Sequence, residues 1–247
     1  MRNKLAARYI LVATAWALCA GCAPSKISVD RSPEIEKYRV KTIAILPFDA
    51  VETPQITDTR NPEFSVPGGA KRSDISLGKP EVTAKLDHPT VTVPSYAAEK
   101  VTRMIYGRLQ NWRGIQVLPL DETVAAYKAV SDQKEEVTTG QLAQKIAARL
   151  KVDALLFGRV SVYQERGGSK FGGDPATVGF ELKLVAADGR TLWVGNYYEQ
   201  QRPMNEDLVG FFQRGGVFVT AEELAQYGAD RLVKEFPFGE PIPRPGF

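Results

Sequence analysis

VKTIAILPFDA, residues 40–50, is the stretch on which the fold turns. Thr42 to Phe48 is short, β-branched and apolar almost throughout, which suits a strand covered on both faces. Pro47 lacks an amide donor and marks the end of that ladder. A strand of this kind needs helices on both sides, so the flanking sequence has to supply them.

It does. From Ser95 the residues Ala97, Ala98, Val101, Met104, Ile105, Leu109 and Trp112 recur every three or four positions, giving one apolar helical stripe capped by Ser95 and ended by Gly114. GIQVLPL follows as a second strand, and Asp121 caps a helix running to about Ser131. Thr138 and Gln141 have the spacing of a capping box ahead of the stripe Leu142, Ala143, Ile146, Ala147 and Leu150. VDALLFGRVSVYQE is then a long strand, broken by the glycine-rich residues 167–173.

TVGFELKLVA alternates. Val178, Phe180, Leu182 and Leu184 point one way while Glu181 and Lys183 point the other, the mark of a half-buried antiparallel strand. Asp188-Gly189 is a hairpin turn leading into TLWVGNYYEQQ. A short helix is expected near Glu206–Phe212. The last helix opens on a Thr220–Glu223 capping box and carries Leu224, Ala225, Ala229, Leu232, Val233 and Phe236. The pattern predicts an α/β fold: a mixed sheet of about five strands with flanking helices and an antiparallel hairpin in the C-terminal half.

The amino terminus has a different character. Arg2, Lys4 and Arg8 precede the uncharged run YILVATAWALCA, Tyr9 to Ala20. A basic start, a short apolar run and small residues form a secretory signal. Twelve helical residues span roughly 18 Å, short of a hydrocarbon core of about 30 Å. The only cysteines, Cys19 and Cys22, are spaced C-x-x-C. A redox pair would need a helix start near a βαβ unit, and a zinc site would need two further ligands where the remaining chain offers only His88. Ala20-Gly21-Cys22 resembles a bacterial lipobox, with Cys19 in the place that Leu usually takes. The resemblance implies that Cys22 is acylated and begins the mature chain, and Ala23, not being Asp, implies sorting to the outer membrane with the domain on its periplasmic face.

These features divide the chain into a signal peptide at 1–21, a polar tether at 22–39, one α/β domain at 40–236 with a proline-rich insertion at 49–93, and a proline-rich tail at 237–247. Extended, a tether of that length reaches about 60 Å. The formal charge of +3 equals the contribution of Arg2, Lys4 and Arg8, so the mature chain is near neutral and carries no nucleic-acid signature.

Catalytic motifs are weak. GGSKFGG, residues 167–173, has Ser169-Lys170 in the wrong order for a phosphate loop and lies between strands. His88 has no orienting partner nearby in sequence. Glu135-Glu136 lies in a link, and Glu222-Glu223 suits a helix amino terminus. No catalytic residue, metal or cofactor is assigned. The aromatic-rich stretches LWVGNYYEQQRPM and LVGFFQRGGVFV hold either core residues or interface anchors. Under the second reading Trp193, Tyr198, Arg202, Phe211, Phe212 and Arg214 contact a partner.

Taken together, the lipobox, the TIAILPF strand, AAEKVTRMIYGRLQNWRGIQVLPLDE and LAQKIAARLKVDALLFGRVSVY resemble periplasmic lipoprotein domains related to the TolB amino-terminal domain. The curli secretion lipoprotein, the Pel polysaccharide lipoprotein and the lipoprotein activators of peptidoglycan synthases belong to this group. The resemblance covers about Lys41–Tyr163. It implies a non-enzymatic domain acting by protein contact, held to the bilayer through Cys22, with envelope proteins or further copies of itself as partners. Two alternatives stay open: a ring- or pore-forming subunit of an export system, and a periplasmic small-ligand binder or enzyme with a dispersed site such as Arg159, Glu181 and Tyr198.

Overall fold

β-Branched and apolar runs build the sheet, and amphipathic stripes build the layers over it. The computed structural model describes residues 26–51, 55–56, 90–132, 138–168, 175–200 and 219–242. Its main sheet comprises β1 (Ile27–Arg31), β2 (Thr42–Ile45), β3 (Asp49–Ala50), β7 (Gln116–Val117), β8 (Ala154–Gln164), β9 (Thr177–Ala186) and β10 (Thr191–Gln200). Two small ladders stand apart, β4 (Gln55–Ile56) with β5 (Thr90–Val91) and β6 (Trp112–Arg113) with β11 (Glu240–Pro241). The helices are α1 (Ser95–Leu109), α2 (Leu120–Ser131), α3 (Thr139–Leu150) and α4 (Ala221–Lys234).

The sheet order is β1-β10-β9-β8-β2-β7, with β3 also paired to β8. β2 runs parallel to β7 and β8, while β8, β9, β10 and β1 form an antiparallel meander. The sheet is therefore mixed, as the sequence pattern predicts, but it has seven strands instead of five. β3 is one addition: the ladder with β8 breaks around Pro47 and resumes at Asp49, inside the expected insertion.

β1 is the other, and it corrects the tether. Residues 27–39 are folded: Ile27–Arg31 pairs along β10 and a 3-10 turn covers Ile35–Lys37. An edge strand covers only alternate residues, so Ile27 and Val29 are half-buried while Ser28 and Asp30 face solvent. Two apolar residues in five leave too faint a period-two pattern to stand out.

Local signals behave largely as their chemistry dictates. Both capping boxes form, Thr138 with Gln141 and Thr220 with Glu223. The turn at Asp188-Gly189 uses the left-handed region, with Gly189 at φ +88°. Two helix starts differ. Pro94 and Pro119 occupy the N-cap positions of α1 and α2, and neither Ser95 nor Asp121 acts as the cap. Each proline takes the extended N-cap backbone (φ −61° and −56°), which leaves Ser95 and Leu120 as the first helical residues.

Apolar packing fills both faces unequally. On one face α1 and α4 cover the sheet's length, burying Ile105, Leu109, Leu156, Phe180, Leu184, Trp193, Tyr197 and Leu232. On the other, α2 and α3 cover one end only, closing over Ala44, Leu46, Leu155 and Val185. Beyond that end β8, β9 and β10 present Arg159, Glu181, Asn196 and Tyr198, all exposed or half-buried.

Candidate functional site

At one end of the sheet Gln164, Thr177 and Gln200 lie side by side by register, and β1 begins there opposite Tyr197. Lys26, just ahead of β1, is held twice. Its Nζ lies 2.8 Å from Glu199 Oε1, and its carbonyl accepts from the Tyr198 amide at 3.1 Å. The Glu199 side chain is 1% exposed and also accepts from the Tyr197 hydroxyl at 2.9 Å. A carboxylate this deep needs a cation and a donor beside it, and Lys26 and Tyr197 supply them.

The starts of α1 and α4 share this end. The Tyr96 ring meets Tyr163 edge-on at 6.0 Å, and Lys100 Nζ reaches Glu222 Oε2 at 2.7 Å. That hydrogen bond to Glu222 holds the Lys100 pKa above its ordinary value. Glu165 accepts from the Ala221 amide at 3.1 Å, satisfying one free donor of the α4 amino terminus. The Tyr163 hydroxyl has no hydrogen-bond partner among the described residues. Burial first, then the charges of Glu165 and Glu222, push its pKa up, so it stays neutral.

Tyr198 is 56% exposed and lies on the uncovered sheet face. Its ring crosses Gly179, where an added Cβ would stand 3.0 Å from Tyr198 Cδ2. Trp193 is a correction: it is 1% exposed, packed edge-on against Phe236 at 5.6 Å, and belongs to the core. A partner cannot reach it without unfolding β10. Cys22, Arg202, Phe211, Phe212 and Arg214 lie outside the described residues, as do most of the 49–93 insertion and the short helix expected near Glu206–Phe212.

Arg159 and Glu181 are register partners on neighbouring strands. With Asp49, Tyr127 and Lys183 they line a hollow of about 160 Å³, but Tyr198 is not part of it. The dispersed constellation is thus two-thirds assembled. A larger groove of about 870 Å³ runs between α1, α4 and β11, lined by Arg108, Trp112, Tyr227, Arg231, Lys234 and Ile242 among others. Arg108 is committed to Asp230 at 2.6 Å, and the Arg231 guanidinium sits 5.9 Å from the Tyr227 ring centre. The i,i+4 spacing of Tyr227 and Arg231 places both on one face of α4. No local sequence signal connects Lys26 with Glu199, which are 173 positions apart. Among the described residues no group of His, Cys, Asp and Glu could hold a metal ion, and no helix is long and apolar enough to cross a membrane.

No family model matches the chain, and no curated protein does. Solved structures similar to it include a PelC dodecamer from Paraburkholderia phytofirmans, at 10% identity and TM-score 0.42, covering 84% of this chain and 93% of that one. Lipoprotein GNA1162 from Neisseria meningitidis is similar at 16% identity and TM-score 0.36, covering 71% of this chain and 94% of that one. The LpoB C-terminal domain from Escherichia coli is similar at 11% identity and TM-score 0.36, covering 68% and 94% respectively. Lipoprotein groups that the sequence resembles are thus among the similar structures.

Proposed function

We propose that this chain is a lipid-anchored periplasmic adaptor that acts by protein contact in an envelope assembly, such as secretion, polysaccharide export or cell-wall synthesis. Acylated Cys22 supplies the membrane affinity and the folded surface supplies the specificity. One observation carries the reading: Lys26, the first described residue and only four positions after Cys22, is already clamped into the fold by a buried carboxylate. Lipid and domain then act as one unit, and Ala23 directs that unit to the outer membrane. A small-ligand site at Arg159 and Glu181 is the weaker reading, because that hollow is about 160 Å³, below the roughly 300 Å³ at which ligand pockets begin.

The test is Cys22→Ser, expressed in a Gram-negative host with labelled palmitate. The unaltered chain is expected to incorporate label and fractionate with the outer membrane, and the variant to do neither. A variant that still pellets with membranes sinks the proposal.

A further inference from the structure

We infer that the strand-end face around Lys26, Tyr198 and Gln200 lies against the bilayer surface, with lipid headgroups as its partner. The inference rests on the proposed acylation of Cys22. From Cys22 to Lys26 the chain advances four residues, a reach of at most about 14 Å. Lys26 cannot drift outward, since its Nζ is tied to buried Glu199 and its carbonyl to the Tyr198 amide. The chain therefore approaches the lipid from the end where β1 starts and where β8 and β10 finish.

The surface chemistry at this end suits the location. Tyr96 is 48% exposed on α1 and Tyr198 is 56% exposed on the opposite sheet face. Tyrosine favours the headgroup level, where its ring is partly covered and its hydroxyl stays hydrated. Charge does not set the orientation: Lys26 is paired with Glu199 and Lys100 with Glu222, and among the described residues the remaining cation here, Arg166, is matched by Glu165 and Glu223. The short link sets it, so the orientation is insensitive to salt. The far end, with Lys37 and the Asp188-Gly189 turn, then stands away from the lipid by the length of β9, ten residues, or about 30 Å.

The experiment uses the full acylated chain in vesicles of phosphatidylethanolamine and phosphatidylglycerol that carry a headgroup nitroxide. Acylation occupies the one cysteine of the mature chain, so Gln200→Cys, Tyr198→Cys and Lys37→Cys can each be labelled with one fluorophore. Probes at 200 and 198 are expected to be quenched several-fold more than the probe at 37, at low and high salt alike. Two near-end positions guard against one substitution disturbing β10. Inserting ten Gly and Ser residues between Ser25 and Lys26 is expected to bring the ratio near one. Equal quenching at both ends in the unextended chain, or a ratio unmoved by the insertion, overturns the orientation while flotation with the vesicles keeps the anchor. Absence of flotation removes the anchor, and the orientation with it.

Discussion

Two glycines on packed helices are expected to respond to the same substitution with opposite signs. Gly228 lies within α4, facing β10, and an added Cβ would collide with the Tyr197 ring, with Cγ at 2.6 Å and Cδ1 and Cε1 closer still. Ordinary contact begins near 3.4 Å. The ring has nowhere to go: Tyr197 is 1% exposed, its hydroxyl is bonded to Glu199, and Phe180 lies 5.3 Å from it centre to centre. Helix propensity alone favours Ala over Gly by about 1 kcal/mol. Overpacking a core costs about 1–3 kcal/mol, and three colliding ring atoms point to the upper end. Gly228→Ala should therefore destabilise by about 2 kcal/mol, a fall in Tm of about 4–8 °C for a domain of this size. Gly107 lies on α1 with no heavy atom within 4 Å of its added Cβ. Gly107→Ala should keep the propensity gain and raise Tm by about 2–4 °C. Thermal unfolding followed by far-UV circular dichroism on both variants is the assay. A Gly228→Ala protein as stable as the parent would refute the packing of α4 on β10.

Three further outcomes follow from single contacts. Lys26→Met removes a cation from the buried Glu199 carboxylate; because Lys26 is 33% exposed, the loss should fall below the 3–5 kcal/mol of a fully buried pair, at about 1–2 kcal/mol in urea unfolding. Tyr163→Phe removes a buried hydroxyl that lacks a partner among the described residues, so stability should hold or rise by up to about 1 kcal/mol; a fall in the urea midpoint would reveal a partner for that hydroxyl. Asp153 Oδ2 accepts from the Lys41 and Thr42 amides and the Thr42 hydroxyl at 2.8–2.9 Å. Burial opposes its ionisation, but these donors win and hold its pKa below the ordinary carboxylate value. A depressed carboxylate contributes stability above the unfolded pKa and loses it as pH falls through the folded one. Asp153→Asn should therefore be less stable than the parent at pH 7 and show a shallower loss of Tm below about pH 4; parallel acid profiles would count against the clamp.

The legible parts of the fold are those where one physical cause dominates. The middle of β9 alternates because there one face is core and the other, at Glu181 and Lys183, is open, and Asp188-Gly189 marks its turn because the backbone there needs positive φ. The capping boxes were legible because both partners lie within one helical turn. β1 was not, since an edge strand buries half its residues only partly. The candidate site suffered from a neglected parity. Trp193 and Tyr198 are five positions apart on one regular strand, so they face opposite sides of the sheet. They could never have shared one contact surface, and the pattern itself assigned Trp193 to the face that carries Tyr197. The inward Glu199 obeys the same parity, but its reason is a lysine from the far end of the chain that local sequence does not connect to it.

Shortening the tether changes what kind of adaptor this chain can be. A link spanning 22–39 would reach about 60 Å and sweep a wide volume, holding any partner at low effective concentration. With Lys26 already held in the fold, the proposed anchor at Cys22 would have a reach of at most about 14 Å, and the domain would keep a nearly fixed height above the lipid. Its far end is also tied down: Tyr38 donates to Asp188 at 2.7 Å, and Arg190 bridges to Glu34 at 2.8 Å, joining the 3-10 turn to the β9–β10 hairpin. Desolvation opposes the charge on Asp188, but the hydrogen bonds from Tyr38 and the Arg190 amide, together with the Arg190 charge, outweigh it and lower the Asp188 pKa, so this junction stays ionised at neutral pH. Under the proposed Cys22 anchor, the domain would present its side faces and far end at a set distance from the bilayer. Partner selection would then depend on height as well as on surface chemistry, and lengthening the link should weaken it without altering a single contact in the fold.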